Sequence, residues 1–307
     1  MAVAVLASLL LLASSVAYVW QPRDGVDYAP EYLRRVRSEF VDTPVARMHY
    51  VKTGDGPPVI LVPGGGQWSY SYRDTIPALA EHFTVFAVDL PGQGFTELRA
   101  TDFEYDLGAM ADALSGFMDA VGLEKATIVG HSWGGAEALY LAEVQPHRIE
   151  KLVLIASPAL DVESSPDWRP LEYPIVGELI GKLMRKEDAA RMLRKAFNHP
   201  DRVTDEMVRE NWAAMSRREN RRAMWELQRN LDYRQTERRL PDVTAPTLVL
   251  WGADDRFDAP WQARELGRRI PDAEVHVLAD CGHNVHEDCP EASNRILVRF
   301  LSAAGAE

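Results

Sequence analysis

Cysteine is nearly missing from this chain of 307 residues, which carries only Cys281 and Cys289. That excludes a disulfide framework as its source of stability. The spacing leaves room for one small local bridge, which requires an oxidising compartment. No C-x-x-C and no His-x-x-x-His occurs, so no structural zinc is expected and no metal or other cofactor is assigned. Net positive charge is missing too: 34 Lys and Arg stand against 46 Asp and Glu, a formal balance of -12. A nucleic-acid binder needs a basic face to track phosphates, and none is suggested here.

What is present is enough apolar material for a full core, 46% of residues. The length suits one large domain or one domain with an insertion. Charge is unevenly placed. Residues 161–240 hold 17 Lys and Arg and 15 Asp and Glu, a local balance of +2. The middle of the chain therefore reads as a separate module.

From Ala2 to Trp20 no side chain is charged, and Leu, Val and Ala dominate. As a helix this stretch spans about 28 Å, close to a hydrocarbon core of ~30 Å. The expectation is an uncleaved membrane anchor over residues 1–20 and hence membrane association. The competing reading is a signal peptide cut near Ser15-Val16-Ala17. Arg23, Arg34, Arg35 and Arg37 follow the segment, which favours a cytoplasmic body, whereas an export signal gives the opposite side. Residues 21–45 read as a polar linker with a short helix around Glu31–Phe40.

Beyond residue 45 a rhythm begins. "PVARMHYVKTG" alternates like a strand. "PPVILVPGGG", "FTVFAVDLPGQG", "ATIVGHS", "KLVLIASPA", "PTLVLWGADD" and "AEVHVLADCGH" are short apolar runs ended by turn residues. Such runs fit strands buried on both faces. Helical spacing appears over Asp106–Val121, Ser132–Glu143, Ala259–Arg269 and Pro290–Leu301. Alternating strands and helices imply a mostly parallel central sheet with helices on both faces. The rhythm stops over 161–240, where strong helix formers such as "GELIGKLMRKEDAARMLRKAF" prevail. The expected organisation is an α/β core over 46–160 and 241–307 with a helical cap inserted at 161–240.

In open α/β sheets ligands bind at the carboxyl ends of the strands. Those ends here carry Pro63-Gly64-Gly65-Gly66, then Ser132, then Asp254, Asp255 and Asp258, then Cys281-Gly282-His283. Gly130-x-Ser132-x-Gly134 alone is weak, since chance supplies roughly one such match per ten chains of this length. Between a buried strand and a helix it has the context of a nucleophile elbow. A serine hydroxyl needs a base, for which His283 is the candidate, and the imidazole needs an anionic partner. Asp255 is chosen for that partner, with Asp254 and Asp258 as fallbacks. An oxyanion needs two backbone N–H donors. Trp133, just after the serine, offers one, and Gly65 offers the second, because glycine lets the backbone approach closely.

With these motifs in view, the sequence resembles the α/β-hydrolase superfamily, specifically its members with a helical cap. The resemblance covers nearly everything after residue 45. "VPGGG" is similar to the oxyanion loop, "DLPGQGFT" to the loop after the next strand and "GHSWGG" to the elbow. "LVLWGADDRF" is similar to the acid strand and "CGHNVHEDCPE" to the histidine loop. The family's Gly-x-x-Asp pattern falls on Asp255 and its Gly-His pattern on His283. The oxyanion loop departs from the family's usual His-Gly start and reads Pro63-Gly64.

Each of these residues also has a plainer reading. Ser132 could merely cap its helix. His283 could be a satisfied loop histidine, with His286 as the base instead. His131 is expected to point into the fold, and Asp89 to hold its own loop through backbone hydrogen bonds. Trp68, Tyr70 and Tyr72 fit a pocket lining and a packing role equally well. Trp212 and Trp225 are expected in the core, with a substrate platform as the alternative.

The resemblance implies an enzyme, and the serine narrows its chemistry. Dehalogenases and epoxide hydrolases of this fold attack with aspartate, whose alkyl ester water can cleave. Serine attacking an alkyl carbon would leave an ether, which an activated water could not release, so Trp133 is not expected to hold a halide. Acyl chemistry remains, through an acyl-enzyme. The default substrate is a small to medium hydrophobic carboxylic ester. C–C hydrolysis of a dienoate-type diketone, amide or peptide cleavage, lactone opening and perhydrolysis use the same triad and stay open. The rival from another class is a hydrolase fold kept as a non-catalytic ligand binder.

Overall fold

The computed structural model describes residues 30–303 together with Val5, Ser8, Leu9, Leu12 and Ser15. Among the described residues nine strands form a single sheet: β1 Ser38–Asp42, β2 Ala46–Thr53, β3 Pro58–Val62, β4 Thr84–Val88, β5 Glu97–Leu98, β6 Ala126–His131, β7 Ile149–Ile155, β8 Thr247–Gly252 and β9 Ala273–Leu278. The order is β1-β2-β4-β3-β6-β7-β8-β9, with β5 paired to β2. From β4 through β9 every neighbour on that path is parallel, while β2 runs antiparallel to β1, β4 and β5.

Side chains alternate across the sheet, so each apolar run feeds two cores. Ile60, Val62, Leu152 and Leu154 pack on one face. Val59, Leu61, Val153 and Ile155 pack on the other. The helices Leu107–Ala120, Trp133–Val144 and Trp261–Arg269 cover the first face through residues such as Leu114, Leu139 and Leu266. Ile76–Ala80 and Pro290–Ser302 cover the second through Leu79 and Leu297.

Between β7 and β8 the chain leaves the sheet and builds an inserted helical cap. Its helices are Val176–Leu183, Lys186–Ala196, Asp205–Met215, Arg218–Asn230 and Arg234–Arg239. Thr204 caps one of them, its hydroxyl accepting from the Met207 N–H at 3.2 Å. Met184, Trp212, Met215, Met224 and Trp225 give the cap a small core of its own.

Two expectations change. The helix expected around Glu31–Phe40 spans only Tyr32–Arg35, and Ser38–Asp42 is an antiparallel edge strand. The strand shows little apolar signal because it is half exposed, with Phe40 39% accessible. The membrane-anchored localisation and the membrane association expected through residues 2–20 are also corrected. A spanning helix needs about 20 apolar residues, and no helix among the described residues is long and apolar enough to cross a membrane. The segment that prompted the expectation lies, apart from five positions, outside the described residues.

Candidate active site

Strand β6 ends at His131 and the helix Trp133–Val144 begins with a single residue between them, so the chain must turn within Ser132. Ser132 has φ 50° and ψ -125°, a conformation a non-glycine residue holds only when its surroundings enforce it. Its N–H donates to the Ile155 carbonyl at 2.9 Å, tying the turn to β7. Small neighbours are obligatory: a Cβ on Gly130 would lie 2.5 Å from the Gly134 oxygen, and one on Gly134 2.4 Å from the Pro63 oxygen. Ser132 occupies the cap position, yet its side chain caps nothing.

The loop after β8 brings Asp255 to His283. The His283 Nδ1–H donates to Asp255 Oδ2 at 2.8 Å. The other carboxylate oxygen of Asp255 accepts the N–H groups of Phe257 at 2.8 Å and Asp258 at 2.9 Å. The carboxylate is therefore pinned in orientation by its own loop. Asp254 is exposed and away from the imidazole, its N–H bonded to the Cys281 carbonyl. Asp258 stands farther off, 3.9 Å from His283 Nδ1. Burial opposes charge on His283, but Asp255 and then Asp258 outweigh it and hold its pKa above the ordinary value. Burial pushes Asp258 up to about 7, against the pull of His283.

The two other histidines of this region lie behind the site. His286 is buried, stacked on Tyr72 at 4.7 Å, and burial, then Arg73 and His283, lower its pKa to about 3. His131 is also buried, with Nδ1 3.0 Å from Gln67 Oε1 and Nε2 3.2 Å from the His283 carbonyl. Burial pushes its pKa well down. Gln67 continues to Glu287, which also accepts from Asn284 and pairs with Arg73. This buried network joins the glycine loop, the elbow and the histidine loop.

Ser132, His283, Gly65 and Trp133 line one chamber under the cap. Trp133 is the first residue of its helix, where a backbone N–H has no acceptor within the helix. Gly65 sits so close to the Trp133 ring that a Cβ would fall 2.3 Å from it. The remaining wall is largely apolar, with Trp168, Leu193, Met215 and Phe257. On the other side of Ser132 and Trp133 a smaller recess holds Glu163, Gln228, Tyr233 and Asp258.

Trp168, Phe257, Met215 and Gln67 were not among the residues singled out from sequence. A tryptophan in the polar stretch "SSPDWRP" was the one available signal. Trp212 and Trp225 lie in the cap core instead. Trp68, Tyr70 and Tyr72 are buried in packing beneath β3, with Trp68 and Tyr70 stacked at 5.8 Å. Asp89 holds its loop, accepting from the N–H groups of Ser69 and Phe95 and from His49 Nδ1. Cys281 and Cys289 are joined in a disulfide that brackets His283.

Residues 57–290 match a family described as alpha/beta hydrolase fold. Among similar proteins, a 2-hydroxy-6-oxo-6-phenylhexa-2,4-dienoate hydrolase of Burkholderia cepacia is 33% identical over 83% of this chain and 91% of its own length. A 2-hydroxy-6-oxononadienedioate/2-hydroxy-6-oxononatrienedioate hydrolase of Comamonas testosteroni is 32% identical with the same coverage. Among solved structures, a meta-cleavage product hydrolase from Pseudomonas fluorescens IP01 superposes with a TM-score of 0.77. It is 26% identical, over 87% of this chain and 98% of that one.

Proposed function

This chain belongs to the alpha/beta hydrolase fold family and is an enzyme of that fold, and on that premise we propose that it is a serine hydrolase cleaving the C–C bond beside a ketone carbonyl. Ser132 is the nucleophile, His283 the base and Asp255 its anionic partner in this reading. The backbone N–H groups of Gly65 and Trp133 receive the oxyanion. Residues 46–160 and 241–307 make the core, and 161–240 roof the site. The observation that carries the triad is the pinned Asp255–His283 pair at 2.8 Å, whose imidazole lines one chamber with a serine on a strained turn. The choice of C–C cleavage is supported by the relatives, whose names specify dienoate and dienedioate hydrolysis.

The chemistry follows from the residues. His283 Nε2 takes the hydroxyl proton as Ser132 Oγ bonds to the carbonyl carbon. Negative charge moves to the carbonyl oxygen, where two N–H donors act at short range in a largely apolar chamber. Collapse breaks the bond to the adjacent carbon, and the departing carbanion takes the proton from the imidazolium. Water, deprotonated by the same imidazole, then releases the acyl group from Ser132.

A second reading, hydrolysis of a carboxylic ester, has its own support. Of the residues lining the chamber and the recess beside it, the formally charged ones are Asp258 and Glu163, apart from the histidines. Glu163 pairs with Arg169 and burial pushes Asp258 up to about 7, so a dienoate carboxylate finds no lysine or arginine among these lining residues, and a neutral ester needs none. A panel containing a hydroxy-oxo-dienoate, its methyl ester and p-nitrophenyl alkanoates separates the readings, with Ser132→Ala as control. Preference for the dienoates supports C–C hydrolysis. Turnover of the alkanoates alone replaces it with esterase activity, and turnover unchanged by Ser132→Ala removes both.

A further inference from the structure

The chamber at Ser132 is small. Its free volume is about 60 Å³, against roughly 300–1,000 Å³ for ordinary small-molecule sites. Such a space holds the reacting carbonyl and little beyond it. Next to it, on the cap, lies a groove of about 740 Å³. Its floor is apolar: Val176, Leu179, Ile180, Leu183, Met184 and Met192. Three of these are strongly exposed for their type, Val176 at 45%, Ile180 at 37% and Leu183 at 60%. Exposed apolar side chains gathered in one groove, rather than scattered singly, are one mark of a binding surface.

The groove and the chamber share a wall. Met192 lines both. Consecutive residues also face the two spaces, Asp167 and Trp168 at one end and Asp188 and Ala189 at the other. The charges along the groove are matched, since Lys195 pairs with Asp167 and Arg191 with Asp188. Methionine is flexible enough to yield to a chain passing beside it.

We propose that the substrate carries an uncharged alkyl chain that runs from the carbonyl held at Ser132, past Met192, into the groove between the helices Val176–Leu183 and Lys186–Ala196. This rests on the serine-hydrolase reading for the position of the carbonyl, but the groove can be tested apart from it. Burying each methylene strengthens binding by up to about fourfold. The groove thus selects for chain length, while the chamber selects for the carbonyl.

The test titrates 2-alkanones of five to thirteen carbons into Ser132→Ala protein by calorimetry, so that no turnover is needed. Affinity should keep rising beyond seven carbons. Ile180→Asp, at an exposed position, and Met192→Trp, at the junction, should each cut the gain from long over short chains at least tenfold. Affinity that levels off at five carbons, or a length dependence that survives both substitutions, overturns the proposal. Fluorophosphonate labelling of the wild-type protein reads the other premise separately. No label at Ser132 removes the serine-hydrolase reading, and the alkanone series still decides the groove.

Discussion

Replacing Asp255 by Asn tests which acid serves His283, and the structure sets the size of the effect. Asp255 Oδ1 receives two backbone N–H groups, at 2.8 and 2.9 Å, while Oδ2 faces His283 Nδ1 at 2.8 Å. An asparagine must leave its oxygen with the two N–H donors. Its NH2 group then points at His283 Nδ1, which has to accept. That forces the proton onto Nε2, the nitrogen that should take the serine proton. In a well-studied serine protease the same acid-to-amide change, by the same tautomer error, lowers kcat about 10⁴-fold. We expect Asp255→Asn to lower kcat by roughly 10³–10⁴ with folding preserved, because the loop hydrogen bonds survive. Asp254→Asn, at an exposed side chain, should change kcat less than twofold. Asp258→Asn should cost less than about tenfold, since its oxygen lies 3.9 Å from the imidazole. Steady-state kinetics, with circular dichroism as a folding check, read all three. If Asp258→Asn or Asp254→Asn is the most damaging, the assignment of Asp255 is wrong.

Asp258 should show itself in the pH profile. The base must be neutral to act, and its pKa is raised above 6.5 by the two carboxylates against burial, so kcat/KM rises with pH through that raised value. Asp258→Asn should move this acid limb down, and an unmoved limb would show that Asp258 does not act on the imidazole. Gly65→Ala places a Cβ 2.3 Å from the Trp133 ring, so it should displace the oxyanion loop and cost about 10²–10³ in kcat; kinetics within a factor of two of wild type would exclude the loop from that role. Cutting the Cys281–Cys289 bridge with paired serines reopens a short loop and should cost about 2–3 kcal/mol in urea unfolding. Glu143 is held protonated up to about 9, chiefly by burial. Stability should fall as pH rises from its unfolded value near 4.5 towards 9, by at most about 1.4 kcal/mol per unit. Glu143→Gln should flatten that slope in urea titrations at several pH values.

Much of the sheet was legible because its strands are buried on both faces. β3, β4, β6, β7 and β8 each read as a continuous apolar run, and no other element of that length has that requirement. β1 was not legible: half exposed, it mixes Ser, Glu, Phe, Val and Asp and carries no period. The helices Leu107–Ala120 and Trp261–Arg269 were legible from spacing, and the elbow from its glycines, whose need for smallness follows from backbone approach. The membrane anchor read from residues 2–20 shows the limit of composition, since apolarity alone does not place a segment.

By itself the sequence determined the alternation of buried strands and helices in the core, a helical insertion within it and the candidates Ser132, Asp255 and His283. Those follow from local rules: periodicity, turn chemistry and motif spacing. Only the tertiary structure decided which of three neighbouring aspartates touches the imidazole, because that depends on how one loop folds its own N–H groups onto a carboxylate. It likewise decided that His286, the alternative base, is buried behind the site, and that Cys281 closes on Cys289 around His283. The chamber wall and the apolar groove also belong to it. Trp168, Met192, Met215 and Phe257 come from distant stretches of chain, and nothing local records that they meet.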